Sequence, residues 1–268
     1  MSCRAIQCIA VAEFFAGALF GTPAAAEMSQ EWMVCSGKVP AAQPDQRVAA
    51  CTAIIEAGGE TPTNLAAAYC ARGVAYHARD QVDRAMADYK ESIRIAPNSA
   101  SSKLCRGYGN LAKGSVEDAI RDLSEVIAVD PSSASAFLGR GRAYRMKKEF
   151  NRAISDYDEA IRLNPKDASA FNNRGAAMIY VQNYERAIQD LDDAVRLNPS
   201  YSEAFMNRGL AHARLRESER AIADFTEAIR IDPRNAVAFH NRGVAYAAKG
   251  DGARAKADFD QARFLTGR

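Results

Sequence analysis

From residue 66 onward the sequence repeats itself with a period of 34 residues, and this period constrains the fold more than any other feature. Three series keep the spacing. The glycines are Gly73, Gly107, Gly141, Gly175, Gly209 and Gly243; the prolines are Pro97, Pro131, Pro165, Pro199 and Pro233; the alanines are Ala85, Ala119, Ala153, Ala187, Ala221 and Ala255. Each unit holds two helix-length stretches, such as 168–181 and 184–197, and proline closes the second. The sequence therefore predicts six stacked helical hairpins.

Each recurring spacing has a reason in the packing of such a hairpin. Two antiparallel helices cross closely only where small residues meet, so the glycine of the first helix and the alanine of the second are predicted to form the crossing point. Large residues recur on the same helical faces. They lie four places before the glycine and four places after the alanine: Phe137, Phe171, Phe205, Phe239, Tyr157, Leu191, Phe225 and Phe259. These side chains are expected to form the core.

Phe171, Gly175, Ala187 and Pro199, at these spacings, resemble the tetratricopeptide repeat (TPR). The resemblance covers residues 66–268 and implies an all-α fold, an α-solenoid forming a right-handed superhelix whose first helices line a concave surface. The expected organisation is a signal peptide over 1–26, an N-terminal cap over 27–65 and six repeats. The repeats are 66–99, 100–133, 134–167, 168–201, 202–235 and 236–268.

Two charged series accompany the repeat. An arginine precedes every glycine and an aspartate follows the arginine after sixteen residues, as in Arg174 and Asp190. An arginine ladder for an anionic ligand is one interpretation. A structural ion pair in each hairpin is favoured, because the aspartate is never absent.

The ends of the array differ from its middle. In the last second helix, Lys256 and Arg263 replace apolar residues of earlier repeats, so this helix is expected to face solvent and act as a cap. At the other end, a stretch around Trp32 and a helix over 45–57 are expected to form a degenerate N-terminal cap.

The first 26 residues have the order of a secretory signal: Arg4, an apolar stretch over 6–20, and small residues ending at Ala26. Glu13 interrupts the apolar stretch, and an amphipathic helix on a cytosolic protein is the alternative. Export predicts a periplasmic or secreted protein. The apolar stretch is too short to span a membrane, and no lipid anchor is expected.

Cleavage of the signal would leave four cysteines. Cys35 and Cys51 flank a proline-containing loop that could fold back, so a disulfide between them is expected. Cys70 and Cys105 fall at non-equivalent helical places and are expected to be small buried side chains without a bridge.

Composition narrows the function. The chain has 35 lysines and arginines against 33 aspartates and glutamates, for a net charge of +2. This balance lacks the positive excess typical of nucleic-acid-binding proteins, so no nucleic-acid partner is expected. The three histidines show no zinc-ligand spacing, and neither a nucleophile elbow nor a phosphate loop is present. We expect no metal, no cofactor and no enzymatic activity.

Helical geometry indicates where a partner could bind. In each first helix, the residues one and four places after glycine, and two and three before it, are expected to face away from the core. The resulting surface is mainly apolar and also carries arginines. Its members are Leu104, Tyr108, Leu111, Leu138, Arg142, Arg145, Met146, Ile179, Tyr180, Met206, Leu210 and Arg214. For about half of the apolar members, packing between neighbouring first helices is the alternative.

Asn173, Asn207 and Asn241 recur two places before glycine. Because side-chain amides both donate and accept hydrogen bonds, an even row of them could hold the backbone of an extended peptide. The alternative is that asparagine is simply tolerated on a polar face.

These observations predict a non-enzymatic, monomeric scaffold of the cell envelope that binds an extended peptide or helix of a protein partner, with apolar anchors and an acidic residue. A structural subunit acting through its convex surface or ends is one alternative. A cytosolic cochaperone-like adaptor is weaker, because Leu104 and Tyr108, among others, replace the lysine and asparagine that the chaperone-binding TPR subclass uses.

Overall fold

The computed structural model describes residues 29–36, 39, 43–79 and 81–267. Within these ranges all regular secondary structure is helical. The predicted signal peptide, with Cys3 and Cys8, lies outside the described residues. The chain divides between Lys147 and Lys148 into two units, and each is described by itself.

The first unit contains seven helices among its described residues. They are α1 (Gln30–Cys35), α2 (Pro44–Ala57), α3 (Pro62–Ala78), α4 (Val82–Ile95), α5 (Ala100–Lys113), α6 (Val116–Val129) and α7 (Ala134–Met146). Consecutive helices pack against each other, and α5 also contacts α3 and α7. The first helices of neighbouring repeats therefore stack side by side.

The second unit contains the remaining helices of the described chain. They are α8 (Phe150–Leu163), α9 (Ala168–Tyr180), α10 (Tyr184–Leu197), α11 (Ser202–Arg214), α12 (Ser218–Ile231), α13 (Ala236–Ala248) and α14 (Gly252–Thr266). Consecutive helices again pack in pairs, with α11 contacting α9 and α13. Both units have the helix-pair architecture of an α-solenoid, as the sequence predicts.

Close packing at the repeat glycines holds each hairpin together. A Cβ atom on Gly175 would lie 2.8 Å from Leu191 Cγ and 3.1 Å from the Ala187 carbonyl oxygen. The same approach occurs between Gly209 and Phe225 in the next hairpin. The large residue four places after the alanine therefore rests directly on the glycine, which explains why the two series keep one register.

Among the described residues, the turns inside the hairpins contain a left-handed residue seven places after the repeat glycine. Gly114 and Gly250 supply it with φ values of 77° and 80°, which cost glycine little. At the equivalent place, Gln182 and Arg216 adopt φ values of 62° and 63°. Their side chains make this conformation less favourable than it is for glycine.

The N-terminal cap is held by side-chain contacts. Cys35 of α1 and Cys51 of α2 form a disulfide, the pairing expected from the sequence, with a sulfur–sulfur distance of 2.15 Å. The Trp32 indole N–H donates to Glu60 Oε1 at 2.9 Å. Helix α3 begins at Pro62, before the expected start of the first repeat at residue 66, because the Thr61 hydroxyl caps it by accepting from the Asn64 N–H.

Candidate functional site

The arginine and aspartate series form the scaffold that orients the first helices. Within a repeat, the arginine that precedes the glycine donates two parallel hydrogen bonds to the aspartate sixteen residues later. In the Arg174–Asp190 pair, Nε to Oδ2 is 2.8 Å and Nη2 to Oδ1 is 2.6 Å. The other pairs within a unit are Arg72–Asp88, Arg106–Asp122, Arg208–Asp224 and Arg242–Asp258. The structural ion pair is thereby confirmed for these five, and the pair of Arg140 with Asp156, which belong to different units, stays a prediction.

The same arginines also tie one hairpin to the hairpin before it. Arg174 Nη1 donates to Asp158 at 2.6 Å, and Arg208 Nη1 donates to Asp192 at 2.7 Å. Burial lowers the pKa of Arg174, but the hydrogen bonds and charges of its two aspartates outweigh this effect and raise it. Guanidinium groups engaged on two sides cannot bind an anionic ligand as well, so this series is structural.

Two adjacent carboxylates on α10, Asp192 and Asp193, are explained in the same way. Asp192 pairs with Arg208, and its neighbour Asp193 pairs with Arg196 at 2.7 Å. Across the described residues no three metal-binding side chains come together. None of the described helices is long and apolar enough to cross a membrane.

The junction between first helices differs from the sequence-based expectation. The residue three places before glycine in one repeat contacts the residue two places before glycine in the next. In the first unit these are Cys70 and Cys105, which form a disulfide with a Cα–Cα distance of 5.9 Å. The expectation that they are unbridged is therefore wrong, since residues at non-equivalent places within a repeat meet across the junction.

In the predicted asparagine row, Asn207 lies at such a junction. Asn207 Nδ2 donates to Asn172 Oδ1 at 2.9 Å, and Asn173 Nδ2 donates to the Ser169 carbonyl oxygen at 2.7 Å. Asn173 and Asn207 are only 9% and 8% exposed, whereas Asn241 is half-buried. The orientation expected for the row on an open face thus differs at its first two members: Asn173 bonds to its own helix, and Asn207 bonds to the preceding first helix, α9.

The other predicted surface residues divide by exposure. Leu104, Tyr108, Leu111 and Ile179 are buried; Leu138, Arg142, Arg145, Met206 and Leu210 are half-buried; Met146, Tyr180 and Arg214 are exposed. In the first unit, Leu104, Tyr108 and Leu111 belong to a cluster with Leu123 and Val126. These buried members pack neighbouring helices together, which is the alternative the sequence left open for part of the apolar set.

A pocket of about 350 Å³ opens between the C-terminal ends of α5 and α7 in the first unit. Five predicted surface residues line it, together with three residues that the sequence did not predict. The lining residues are Tyr108, Leu111, Ala112, Lys113, Gly114, Arg142, Arg145 and Met146. These three, Ala112, Lys113 and Gly114, lie at the C-terminal end of α5, where the helix ends in its left-handed turn.

The second unit presents an exposed patch on its first helices. The Tyr180 ring is 63% exposed and stacks on Phe150, with 4.6 Å between ring centroids. Met206 and Leu210 are half-buried on α11, and Arg214 is exposed near the end of that helix. This patch repeats the mixture of apolar and cationic side chains found around the pocket.

Three TPR family models match the chain. They are described as Tetratricopeptide repeat over 66–99, TPR repeat over 141–179 and Tetratricopeptide repeat over 172–236. No curated protein sequence matches the chain.

Solved TPR structures are similar to large parts of it. The crystal structure of MamA is 28% identical, covering 60% of this chain and 94% of that chain with a TM-score of 0.55. YrrB, described as a TPR protein with an unusual peptide-binding site, is 24% identical. The match covers 66% of this chain and 91% of YrrB, with a TM-score of 0.54. The Pseudomonas aeruginosa protein pilF is 18% identical, and the match covers 77% of this chain and 94% of pilF with a TM-score of 0.67. The last two likenesses show the fold alone.

The period, the helix pairs packed through glycine and the matches of family models over 66–99 and 141–236 agree. The chain is therefore a tetratricopeptide-repeat protein.

Proposed function

We propose that this chain is a non-enzymatic, monomeric scaffold that binds an extended peptide or a helix of a partner protein on the surface of its first helices. The partner segment carries apolar anchors and an acidic residue. The observation that carries the proposal is that some arginines are paired with carboxylates of the protein, whereas others on the first helices are not.

Arginines near the C-terminal ends of the second helices α4, α10 and α12 are neutralised within the protein. Arg94, Arg196 and Arg230 each pair with a carboxylate three residues earlier on the same helix. Arg142, Arg145 and Arg214 on the first helices have no ion-pair or hydrogen-bond partner in the described part of the chain. Unpaired cations beside exposed apolar side chains are suited to a segment of opposite charge.

TPR proteins bind protein or peptide partners, and YrrB is described as having a peptide-binding site. For this chain, exposed Met146 in the first unit, and exposed Tyr180 with half-buried Met206 and Leu210 in the second, support the same mode of binding. Asn241, whose amide lacks a partner among the described residues, remains available to hold a peptide backbone.

The proposed compartment is the periplasm or the cell exterior. Two disulfides in the first unit, Cys35–Cys51 and Cys70–Cys105, support an oxidising environment. The predicted signal peptide points the same way.

The test is to capture envelope proteins on the purified chain and on Leu138→Glu and Met206→Glu, one variant in each unit. Both should lose the partner, because a carboxylate would stand beside the apolar anchors. Val129→Glu is the control, since Val129 is an exposed apolar residue at the end of α6 rather than on a first helix. Circular dichroism checks that all variants fold. Retention of the partner by both first-helix variants would contradict the proposal.

A structural subunit that acts through its ends is the second candidate. It is favoured by the exposed Val237 and Val244 on α13 and Phe264 on α14. If this alternative holds, Val244→Glu abolishes assembly while Leu138→Glu leaves it intact.

A further inference from the structure

We infer that the pocket between α5 and α7 is a carboxylate-binding subsite, which accepts an acidic group of the partner with a large apolar side chain beside it. The acidic group is an Asp or Glu side chain or a C-terminal carboxylate. This inference rests on the proposed function and specifies the chemistry of its ligand.

The cationic side of the pocket comes from α7. Arg142 and Arg145 are three residues apart and therefore project from one side of the helix into the same cavity. Neither guanidinium pairs with a carboxylate of the described chain. Two planar, fixed charges facing one cavity match the two oxygens of a carboxylate.

Arg145 adds an independent sign of a missing partner. Its Nε atom is buried, and no acceptor lies within hydrogen-bonding distance of it. A buried N–H without an acceptor is costly, so such groups are normally satisfied by protein, water or ligand. A ligand oxygen in the pocket would satisfy this donor.

The two basic edges of the pocket differ in whether their charges are paired. Lys113, at the end of α5, already pairs with Asp83 at 3.1 Å. The unneutralised charge is therefore concentrated on the α7 side of the cavity, which gives a bound acidic residue a defined orientation.

The opposite wall is apolar and fixed. The Tyr108 hydroxyl donates to the Ser135 carbonyl oxygen at 2.7 Å, which holds its ring in place, and Leu111 is buried beside it. Met146 is 47% exposed at the rim, and its flexible side chain can adapt to a ligand. An acidic residue next to a leucine or aromatic residue fits both walls at once.

The experiment starts from a randomised library of linear peptides displayed on phage and selected on the immobilised full chain. Selected peptides should carry Asp or Glu adjacent to a large apolar residue. The best peptide is then synthesised in three forms: the acidic parent with an amidated C-terminus, its Gln or Asn analogue, and that analogue with a free C-terminal carboxylate placed at the same position.

We expect the amide analogue to bind at least about tenfold more weakly than the acidic parent, since a charge-assisted hydrogen-bond pair is lost. Arg142→Gln and Arg145→Gln should each weaken the parent by a similar factor and leave the amide analogue almost unchanged. Arg94→Gln, which removes the same charge from a paired arginine of α4, is the control. Recovery of affinity by the free-carboxylate form would identify the C-terminus as an equivalent source.

A direct readout comes from NMR of the full chain. The Nε–H resonance of Arg145 should shift on addition of the acidic peptide and not of the amide analogue. Because neither arginine has a protein partner, both variants should keep the parental melting temperature.

The outcomes separate this inference from the proposed function. Selection of peptides without an acidic preference, or equal losses for parent and analogue in the arginine variants, overturns the subsite and leaves the scaffold proposal standing. Failure to select any peptide overturns both.

Discussion

Replacement of Arg174 by alanine tests how the repeats are held together. Arg174 donates to Asp190 twice and to Asp158 once, and Asp190 is only 8% exposed at the side chain. Truncation removes the guanidinium and leaves the Asp190 carboxylate buried without its partner. The perturbation therefore acts mainly through an uncompensated buried charge.

The magnitude follows from the geometry. Breaking one partner out of a buried ion pair costs about 3–5 kcal/mol, whereas the bond to the half-exposed Asp158 contributes less than about 1 kcal/mol. Because Arg174 itself keeps some contact with water, we expect a loss near the lower limit, about 3 kcal/mol. For a chain of this size that loss lowers the melting temperature by about 6–12 °C.

The pH dependence of the loss has a definite sign. Burial raises the pKa of Asp190, and Arg174 opposes this rise, so removing Arg174 raises it further. The ionised carboxylate is then less stable in the folded state than in the unfolded chain. The penalty is complete above the folded pKa and disappears as pH falls below the unfolded pKa, so the deficit relative to the parent should shrink in acid.

The assay combines thermal unfolding with amide hydrogen exchange in α9 and α10, since repeat arrays can open locally. Arg196→Ala is the matched control, because its exposed pair with Asp193 on α10 should be worth less than about 0.5 kcal/mol. Addition of Asp190→Asn to the Arg174→Ala chain should recover part of the loss. An unchanged melting temperature in Arg174→Ala, or equal losses in the two arginine variants, would refute the reasoning.

Three further predictions concern stability. Gly175→Ala should destabilise by about 1–3 kcal/mol in urea unfolding because its Cβ would meet Leu191, whereas Gly252→Ala, with open space around the added atom, should not. Gln182→Gly should stabilise the protein by about 0.5 kcal/mol and raise its melting temperature, because glycine adopts the left-handed conformation more readily than a residue with a side chain. A lower melting temperature would contradict this account. Removing the Cys35–Cys51 or Cys70–Cys105 bridge by Cys→Ala should cost about 3 and about 4 kcal/mol respectively, according to their closed loops, and non-reducing peptide mapping that finds free thiols at these positions would contradict the pairing.

The contacts within a hairpin could be predicted from the sequence. Gly175 and Leu191, or Arg174 and Asp190, are joined by a short turn, so helical geometry alone brings them together. The turn chemistry is local as well, which is why the helix bounds from α5 onward follow the repeat.

The candidate site could be predicted only in part. An isolated helix shows which side faces away from its own partner helix, and this placed Arg142, Arg145 and Met146 on an outward side, where they line the pocket. It does not show which of the outward positions the next repeat covers, and so Leu104 and Asn207 were placed on an open face although they are buried.

What the sequence determined by itself is the repeating hairpin, since a period of 34 residues with fixed small, large and charged positions specifies one local packing many times over. The tertiary structure alone decided how first helices meet across the junction. There Cys70 reaches Cys105 and Asn172 reaches Asn207, because stacking brings non-equivalent positions of successive repeats together. The stacking also leaves a cavity beside two unpaired arginines, which no property of a single helix specifies.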